Sequence, residues 1–241
     1  MREDFEEKYH LLEEQNYWFL ARRDMILRLI HEKKNTNILD IGCSGGVLML
    51  DLKKKGYNVI KGFDISEKAV ELSHKRGLKT TYVCDAEDIK EVDCCFDVAI
   101  SSDVLEHILD HENALREWKR ILKPKGKLMV FVPAFQMLWS SHDKANMHQR
   151  RYTKKQLVSI LRMLDFKILR AGYWNFSSFI PSLITKFMDK LHSRPKKDQL
   201  FDFGPKINGI LTQILKLENY ILSKGVNFPL GVSVFAIAQK K

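Results

Sequence analysis

Asn37-Ile38-Leu39-Asp40-Ile41-Gly42-Cys43-Ser44-Gly45-Gly46 is an apolar run that ends on a carboxylate and opens into a glycine-rich turn. A helix-length segment, Val47 to Lys55, comes next. Glycine lets a backbone take positive φ and approach a ligand closely, and the start of the next helix offers unpaired N–H groups. A ligand can therefore sit on bare backbone here. The plain alternative is an ordinary strand-to-helix turn. A dinucleotide site would present G-x-G-x-x-G, whose amides face a pyrophosphate. The spacing here is different, and Asp40 just before the turn would repel a pyrophosphate.

Outward from this stretch, short apolar runs recur: Asn37 to Ile41, Tyr57 to Phe63, Thr80 to Cys84, Phe96 to Ser101 and Gly126 to Val132. Helix-length segments such as Ser66 to Arg76 and Glu112 to Leu122 lie between them. Parallel neighbours need a covering crossover of about a dozen residues, so strands alternating with helices predict a doubly wound α/β sheet. After Pro133 the pattern changes to a histidine- and arginine-rich loop from Phe135 to Tyr152. Thr153 then reads as the N-cap of a helix, Lys154 to Met163. Phe166 to Tyr173 and Gly231 to Gln239 read as two further strands, the last antiparallel, for a mostly parallel seven-stranded sheet.

Residues 1–36 read as an N-terminal helical cap of two amphipathic helices, and 37–176 with 230–241 as the α/β domain. Residues 177–229 read as a helical insertion, with helices over Pro181 to His192 and Lys206 to Ser223 and a charged linker, Ser193 to Gly204, between them. Phe179, Ile180, Leu183, Ile184, Phe187 and Met188, then Ile207, Ile210, Leu211, Ile214 and Leu215, form an apolar stripe there. It either packs on the domain or dips into a bilayer surface.

The carboxylates have readings of their own. Asp40 suits a ligand carrying a positive group, such as the ammonium of a methionine moiety, which favours S-adenosylmethionine over NAD. Asp64, at the end of the second run, can accept hydrogen bonds from both ribose hydroxyls. Helix capping is its alternative, but Ser66 can cap unaided and would leave Asp64 for the ribose. Asp85, after the third run, is either a turn residue or a contact to an adenine amino group.

Taken in order, these residues resemble the class I S-adenosylmethionine-dependent methyltransferases, closely from Ile38 to Val132 and less so beyond. The family pattern D-x-G-x-G-x-G maps onto Asp40, Gly42 and Gly46, with Ser44 in place of the middle glycine. The resemblance implies a Rossmann-like fold, ribose binding by Asp64, packing of Ile65 on the adenine, contacts of Asp85 and Ala86 with its edge, and a cofactor-facing strand end at Ser102. Leu122-Lys-Pro124-Lys-Gly126 is similar to the turn before the family's fifth strand.

The segment after the fourth strand bears on the reaction. The Asn/Asp-Pro-Pro-aromatic tetrapeptide of adenine amino methylation is absent there, as is the nucleophilic cysteine of base C5 methylation. Asp103-Val-Leu-Glu106-His107 is instead similar to the small-molecule branch that includes the ubiquinone-biosynthesis O-methyltransferases. Asp103, Glu106 and His107 could gather around a divalent cation, or His107 could act as a general base. A helix start, with Asp103 and Glu106 favouring the dipole, is the alternative. In the loop 138–152, His142 or His148 could provide a base, and Asp143, Arg150, Arg151 and Tyr152 are candidate substrate contacts. A similar W-S-x-H-D then H-x-R-R-Y string recurs in uncharacterised bacterial and archaeal methyltransferases of this branch, as does the aromatic entry Tyr17-Trp18-Phe19 with Arg22 and Arg23.

Composition bounds the setting. A chain of 241 residues, 45% apolar and 29% charged, suits one domain with an elaboration. Its four cysteines show no C-x-x-C pairing, which points to a reducing, cytoplasmic compartment and away from structural zinc. Met1 to Lys8 is polar and acidic rather than leader-like, and no apolar run reaches the roughly 18 to 20 residues of a membrane span. The net charge of +10 favours anionic partners, from phosphate-bearing substrates to nucleic acid or an acidic membrane surface. The expected activity is methyl transfer to an oxygen of a small or lipid-linked acceptor, with peripheral membrane contact as an accompaniment. The rival readings are an RNA or tRNA methyltransferase, which lacks a recognition module here, and a non-catalytic cofactor-fold binding protein.

Overall fold

The computed structural model describes residues 9–191 and 203–241. The segment Met1 to Lys8, most of the charged linker and the side chain of Met188 lie outside the described residues. By compactness the chain divides into two units. One comprises 1–30, 133–153 and 172–234, and the other 31–132, 154–171 and 235–241. The histidine-rich loop thus groups with the N-terminal and inserted helices.

The second unit is built on a seven-stranded sheet in the order β3-β2-β1-β4-β5-β7-β6. The strands are β1 (Ile38–Ile41), β2 (Ile60–Asp64), β3 (Thr81–Val83), β4 (Phe96–Ser102), β5 (Leu122–Pro133), β6 (Phe166–Trp174) and β7 (Ser233–Lys240). Strands β1 to β5 pair in parallel, and β7 runs antiparallel between β5 and β6. The crossovers carry α2 (Val47–Lys54), α3 (Glu67–Lys75) and α4 (His111–Ile121), and α6 (Lys154–Met163) precedes β6. All four residues of β1 are buried, as a strand covered on both faces requires, so its sequence is a continuous apolar run broken only by Asp40. Trp118, Phe63, Phe131, Phe166 and Phe235 are among the largest fully buried side chains.

Two expectations are corrected. Leu122 to Gly126 is an irregularity inside β5 rather than a turn before it: Phe96 pairs with Leu122, and the register resumes at Val98 with Lys127. Lys125 takes a left-handed φ of 64° within that excursion. Nor does a helix start at Asp103. That residue ends β4 at φ 59°, its N–H donating to Phe131 O, and the next helix waits for Asp110, whose side chain caps it through the Asn113 N–H at 3.0 Å.

The first unit holds α1 (Tyr17–Leu29), the short α5 (Ser141–Ala145), α7 (Phe179–Leu191) and α8 (Gly204–Ser223). Helices α1 and α8 pack together around a polar seam. Buried Asn219 accepts from Trp174 Nε1 at 2.6 Å and donates to Ala21 O and Asp24 Oδ2, both at 2.8 Å, so its amide is matched on every side. The guanidinium of Arg22, also buried, lies 4.7 Å from the Trp18 ring and 4.2 Å from the Trp174 ring and donates to Ser233 Oγ at 2.8 Å. Two desolvated cation–π contacts of about 2 kcal/mol each offset part of the several kcal/mol that burying a cation costs. Among the described residues no helix is long and apolar enough to cross a membrane.

Gly62 on β2 shows how tightly α2 is laid on the sheet. A Cβ there would stand 2.6 Å from Met49 Sδ and 2.9 Å from Cys43 Cβ. Gly62→Ala is therefore expected to cost about 1–3 kcal/mol, read as a lower urea midpoint with an unchanged slope.

Candidate functional site

The C-terminal ends of the parallel strands are where an open α/β sheet receives ligands, at the point where the strand order reverses. Here that point lies between β1 and β4, and the glycine-rich turn after β1 stands over it. Asp40 is buried on β1, level with Gly62 and Ile100 on its neighbours. Gly42 and Gly46 both take left-handed conformations, at φ 69° and 78°. A Cβ on Gly42 would meet Val104 Cγ2 at 2.4 Å, and one on Gly46 would meet Leu78 Cδ1 at 2.2 Å. The turn is thus closed to side chains and presents backbone.

Ser44, in place of glycine, also takes positive φ, at 50°. That conformation costs a side-chain-bearing residue about 1–2 kcal/mol. Its N–H donates to Asp64 Oδ2 at 2.9 Å, and a hydrogen bond to a charged group returns about 1.5–3 kcal/mol, enough to hold the turn. Asp64 Oδ1 accepts from Ser66 N at 3.0 Å, while Ser66 Oγ caps α3 through Ala69 N. The expectation that Ser66 caps unaided holds, but the inference that this leaves Asp64 unengaged does not, since Asp64 joins the two loops. A carboxylate has about four acceptor directions, so loop amides and a ribose hydroxyl can share it. Beside it Ile65 is 72% exposed, an apolar face with no cover in its own unit's core.

The third loop is anchored from α4. Asp85 is exposed and closes an Asx turn, accepting from Glu87 N at 2.9 Å. Trp118 Nε1 donates to Ala86 O at 3.0 Å, Asn113 Nδ2 to Glu87 O at 3.3 Å, and Arg120 to Ile89 O and Glu91 O. Burial, then the neighbouring charges of Asp85 and Asp110, push the Glu87 carboxyl above its usual range. The Arg76 guanidinium holds Gly45 O at 2.7 Å. Sequence reading singled out none of Arg76, Asn113, Trp118 and Arg120 as site supports. Each acts on a backbone carbonyl, and no motif marks that. At the end of β4, Ser102 Oγ donates to Asp103 Oδ2 at 2.8 Å, and His107 lies in the turn after it, its N–H on Val104 O. Glu106 is fully buried. Among the described residues Asp103, Glu106 and His107 do not form a three-ligand group.

A cleft of about 540 Å³ opens elsewhere, lined by Glu32, Lys33, Asp97, Lys123, Lys125 and Lys127 among others. It lies at the N-terminal ends of β1 and β4. Ligand chemistry in this topology belongs to the opposite edge, so the glycine turn and not this cleft is the candidate cofactor site.

In the first unit the loop residues turn toward one another. Asp143, 0% exposed, accepts from Arg151 Nε at 2.7 Å and Nη2 at 2.9 Å, from Ser140 N at 2.7 Å, and faces His148 Nδ1 at 2.9 Å. Burial alone would raise its pKa, but the hydrogen bonds from His148 and Arg151, the Arg151 charge and the Ser140 amide outweigh it and hold the carboxyl well below its usual range. An ionised carboxylate only accepts, so His148 Nδ1 is the donor in that contact. His142 Nε2 receives the Asn146 amide at 3.0 Å. Arg151 also donates to Ala134 O at 3.1 Å, and Tyr152 is buried, bridged to Ala134. Asp143, Arg151 and Tyr152 thus build the loop, the His148 side chain is only 8% exposed, and His142 and Arg150 are half-buried.

Three comparisons bear on this geometry. Residues 39–130 match the model of a family described as a methyltransferase domain. A ubiquinone biosynthesis O-methyltransferase of Coxiella burnetii is 31% identical over 100 residues, 39% of this chain and 42% of that protein. Ajmaline N-methyltransferase of Rauvolfia serpentina is 26% identical over 164 residues, 60% of this chain and 56% of that protein. The chain thus spans about half the length of these curated relatives. Phosphoethanolamine N-methyltransferase 2 of Haemonchus contortus, solved in complex with S-adenosyl-L-methionine, shares the fold at a TM-score of 0.61 and 20% identity, over 91% of this chain and 52% of that one.

Asp143 carries a stability signature. Its folded pKa lies below the unfolded value of about 3.9, so its contribution is complete above that pH and is lost as pH falls through the folded pKa. Asp143→Asn is expected to cost about 3–5 kcal/mol at neutral pH, because it strands a buried guanidinium. Urea unfolding of both proteins from neutral pH down to about pH 3 should show the penalty constant above about pH 5 and shrinking below it.

Proposed function

We propose that this chain, whose residues 39–130 match a methyltransferase-domain model, binds S-adenosylmethionine at the glycine turn and transfers its methyl group to an oxygen of a small or lipid-linked acceptor. The observation that carries the reading is the clasp of Asp64 on the Ser44 amide beside exposed Ile65, with a backbone-only turn in front of it. Its residues fit the group. Asp40 matches an ammonium, Gly42 and Gly46 give the turn its left-handed backbone packed on Val104 and Leu78, Asp64 can take ribose hydroxyls, Ile65 offers an apolar face to a purine, and Asp85, Ala86 and Ser102 border the same edge. When bound, the cofactor supplies an electrophilic methyl group on a sulfonium, whose in-line displacement needs alignment more than covalent help.

A hydroxyl acceptor must also lose a proton. His107, His142 and His148 are the candidate bases for that step, and Arg150 is a candidate contact for an anionic acceptor group. Asp143 and Arg151 are then positioning residues. The ubiquinone-biosynthesis relatives support oxygen and a small acceptor, and the ajmaline relative supports a small acceptor at nitrogen.

Calorimetric titration with S-adenosylmethionine tests the cofactor. The wild type should bind, and Asp64→Ala should weaken binding by about tenfold or more, since it removes hydrogen bonds to a charged group. No heat and no thermal shift with the wild type would sink the proposal. For the base, His148→Ala should keep cofactor affinity within about twofold while turnover of a labelled-donor screen hit falls by about 10²–10⁴. Unchanged turnover would move the role to His107 or His142.

A further inference from the structure

Helix α8 is amphipathic the wrong way round. Its inward face is Asn208, Thr212, Leu215, Glu218, Asn219 and Leu222, largely polar, and satisfied in part by the bonds of Asn219 to α1 and by Glu218 accepting from Phe176 N and Ser177 N at 2.9 and 2.8 Å. The outward face is Ile207, Ile210, Ile214 and Leu217, at i, i+3, i+7 and i+10, each 43–62% exposed. A globular helix normally hides such a stripe, and a continuous exposed one marks an interaction surface. Helix α7 repeats the pattern with exposed Ile180, Ile184 and Phe187 at i, i+4 and i+7.

The charges beside the stripe select its occupant. Lys206 and Lys224 flank it on the same side of the helix, and the Lys224 ammonium lies 5.2 Å from the Tyr220 ring at the stripe's end. The helix's one acidic residue, Glu218, is turned inward. A second copy of this chain, pairing identical faces, would bring lysines against lysines with no acidic residue of α8 between them. An anionic bilayer surface matches both features: acyl chains receive the Ile and Leu side chains while headgroups meet the lysines, with the tyrosine at the boundary. The chain's net charge of +10 has the same sign. We propose that the outward face of α8 docks on anionic lipid. The inference goes beyond methyl transfer and needs no turnover to test.

The experiment is sedimentation of the full chain at low salt with phosphatidylcholine vesicles that do or do not contain phosphatidylglycerol. The wild type should sediment with the anionic vesicles and stay largely in solution with the neutral ones. Lys206→Gln with Lys224→Gln should lower partitioning by about fivefold per lysine. Ile210→Gln with Leu217→Gln should lower it by about tenfold or more, while circular dichroism and the melting temperature stay within a few degrees of wild type, because both side chains are already exposed. Three results overturn the proposal: wild type remaining in the supernatant with anionic vesicles, the Ile210/Leu217 variant sedimenting like wild type, or light scattering showing a dimer that this variant abolishes while vesicle binding persists.

Discussion

The Asp64 carboxylate is the constraint on which the candidate cofactor site depends. Parallel strands end with backbone groups that the sheet no longer pairs, and the turn after β1 departs from it through three left-handed residues, one of them not glycine. Such a turn has few low-energy alternatives but also little of its own to hold it. The carboxylate at the end of β2 supplies the anchor, reaching the Ser44 amide on one oxygen and the Ser66 amide on the other. It also explains how serine is tolerated where the family pattern has glycine, because the bond and the conformational cost are of similar size. A residue chosen for ligand contact and a residue needed for loop shape are here the same one, so loss of Asp64 acts through both routes.

The first unit solves a different problem, that of burying charge and amide where most helices bury aliphatic side chains. Arg22 between two indoles, Asn219 matched on every polar atom, and Glu218 on two amides ahead of α7 set a specific polar seam beside the buried Met25, Ile26 and Leu222. Ile207, Ile210, Ile214 and Leu217 of α8 then fall on the outer surface as a consequence of the same periodicity. Polar seams of this kind are sensitive to register, because one residue of slip would leave several buried groups unmatched. That sensitivity gives the helix pair a defined orientation that oily packing alone would specify less sharply.

Much of the fold was legible because its signals are local. Apolar runs, helix-length intervals and caps such as Ser66 need only a few residues of context, and their positions agree with the strands and helices to within a few residues. The irregularity in β5 was misread because Pro124 and Gly126 are turn residues in most settings, and only pairing of Leu122 with Phe96 reveals that the strand has already begun. The helix-start alternative for Asp103 fails for a similar reason: an acidic residue with Glu106 close behind it fits a helix start, yet the left-handed backbone at Asp103 goes with the end of β4 and its bond to Phe131. The bond from Ser44 to Asp64 joins residues twenty apart, and the carbonyl contacts of Trp118 and Arg120 reach about thirty residues back. Local pattern carries no record of either.

The histidine-rich loop shows where residue type misleads about role. His, Asp and Arg in one short segment suggest groups presented to a ligand, since loops commonly carry them. The same composition also permits a closed knot, and the distances decide in favour of that for Asp143 and Arg151, whose bonds are spent on each other and on the loop backbone. An imidazole whose Nδ1–H is held by an ionised acid has its ring orientation set. The buried carboxylate therefore ties Ser140, His148 and Arg151 into one loop, and the loop's shape depends on its staying ionised.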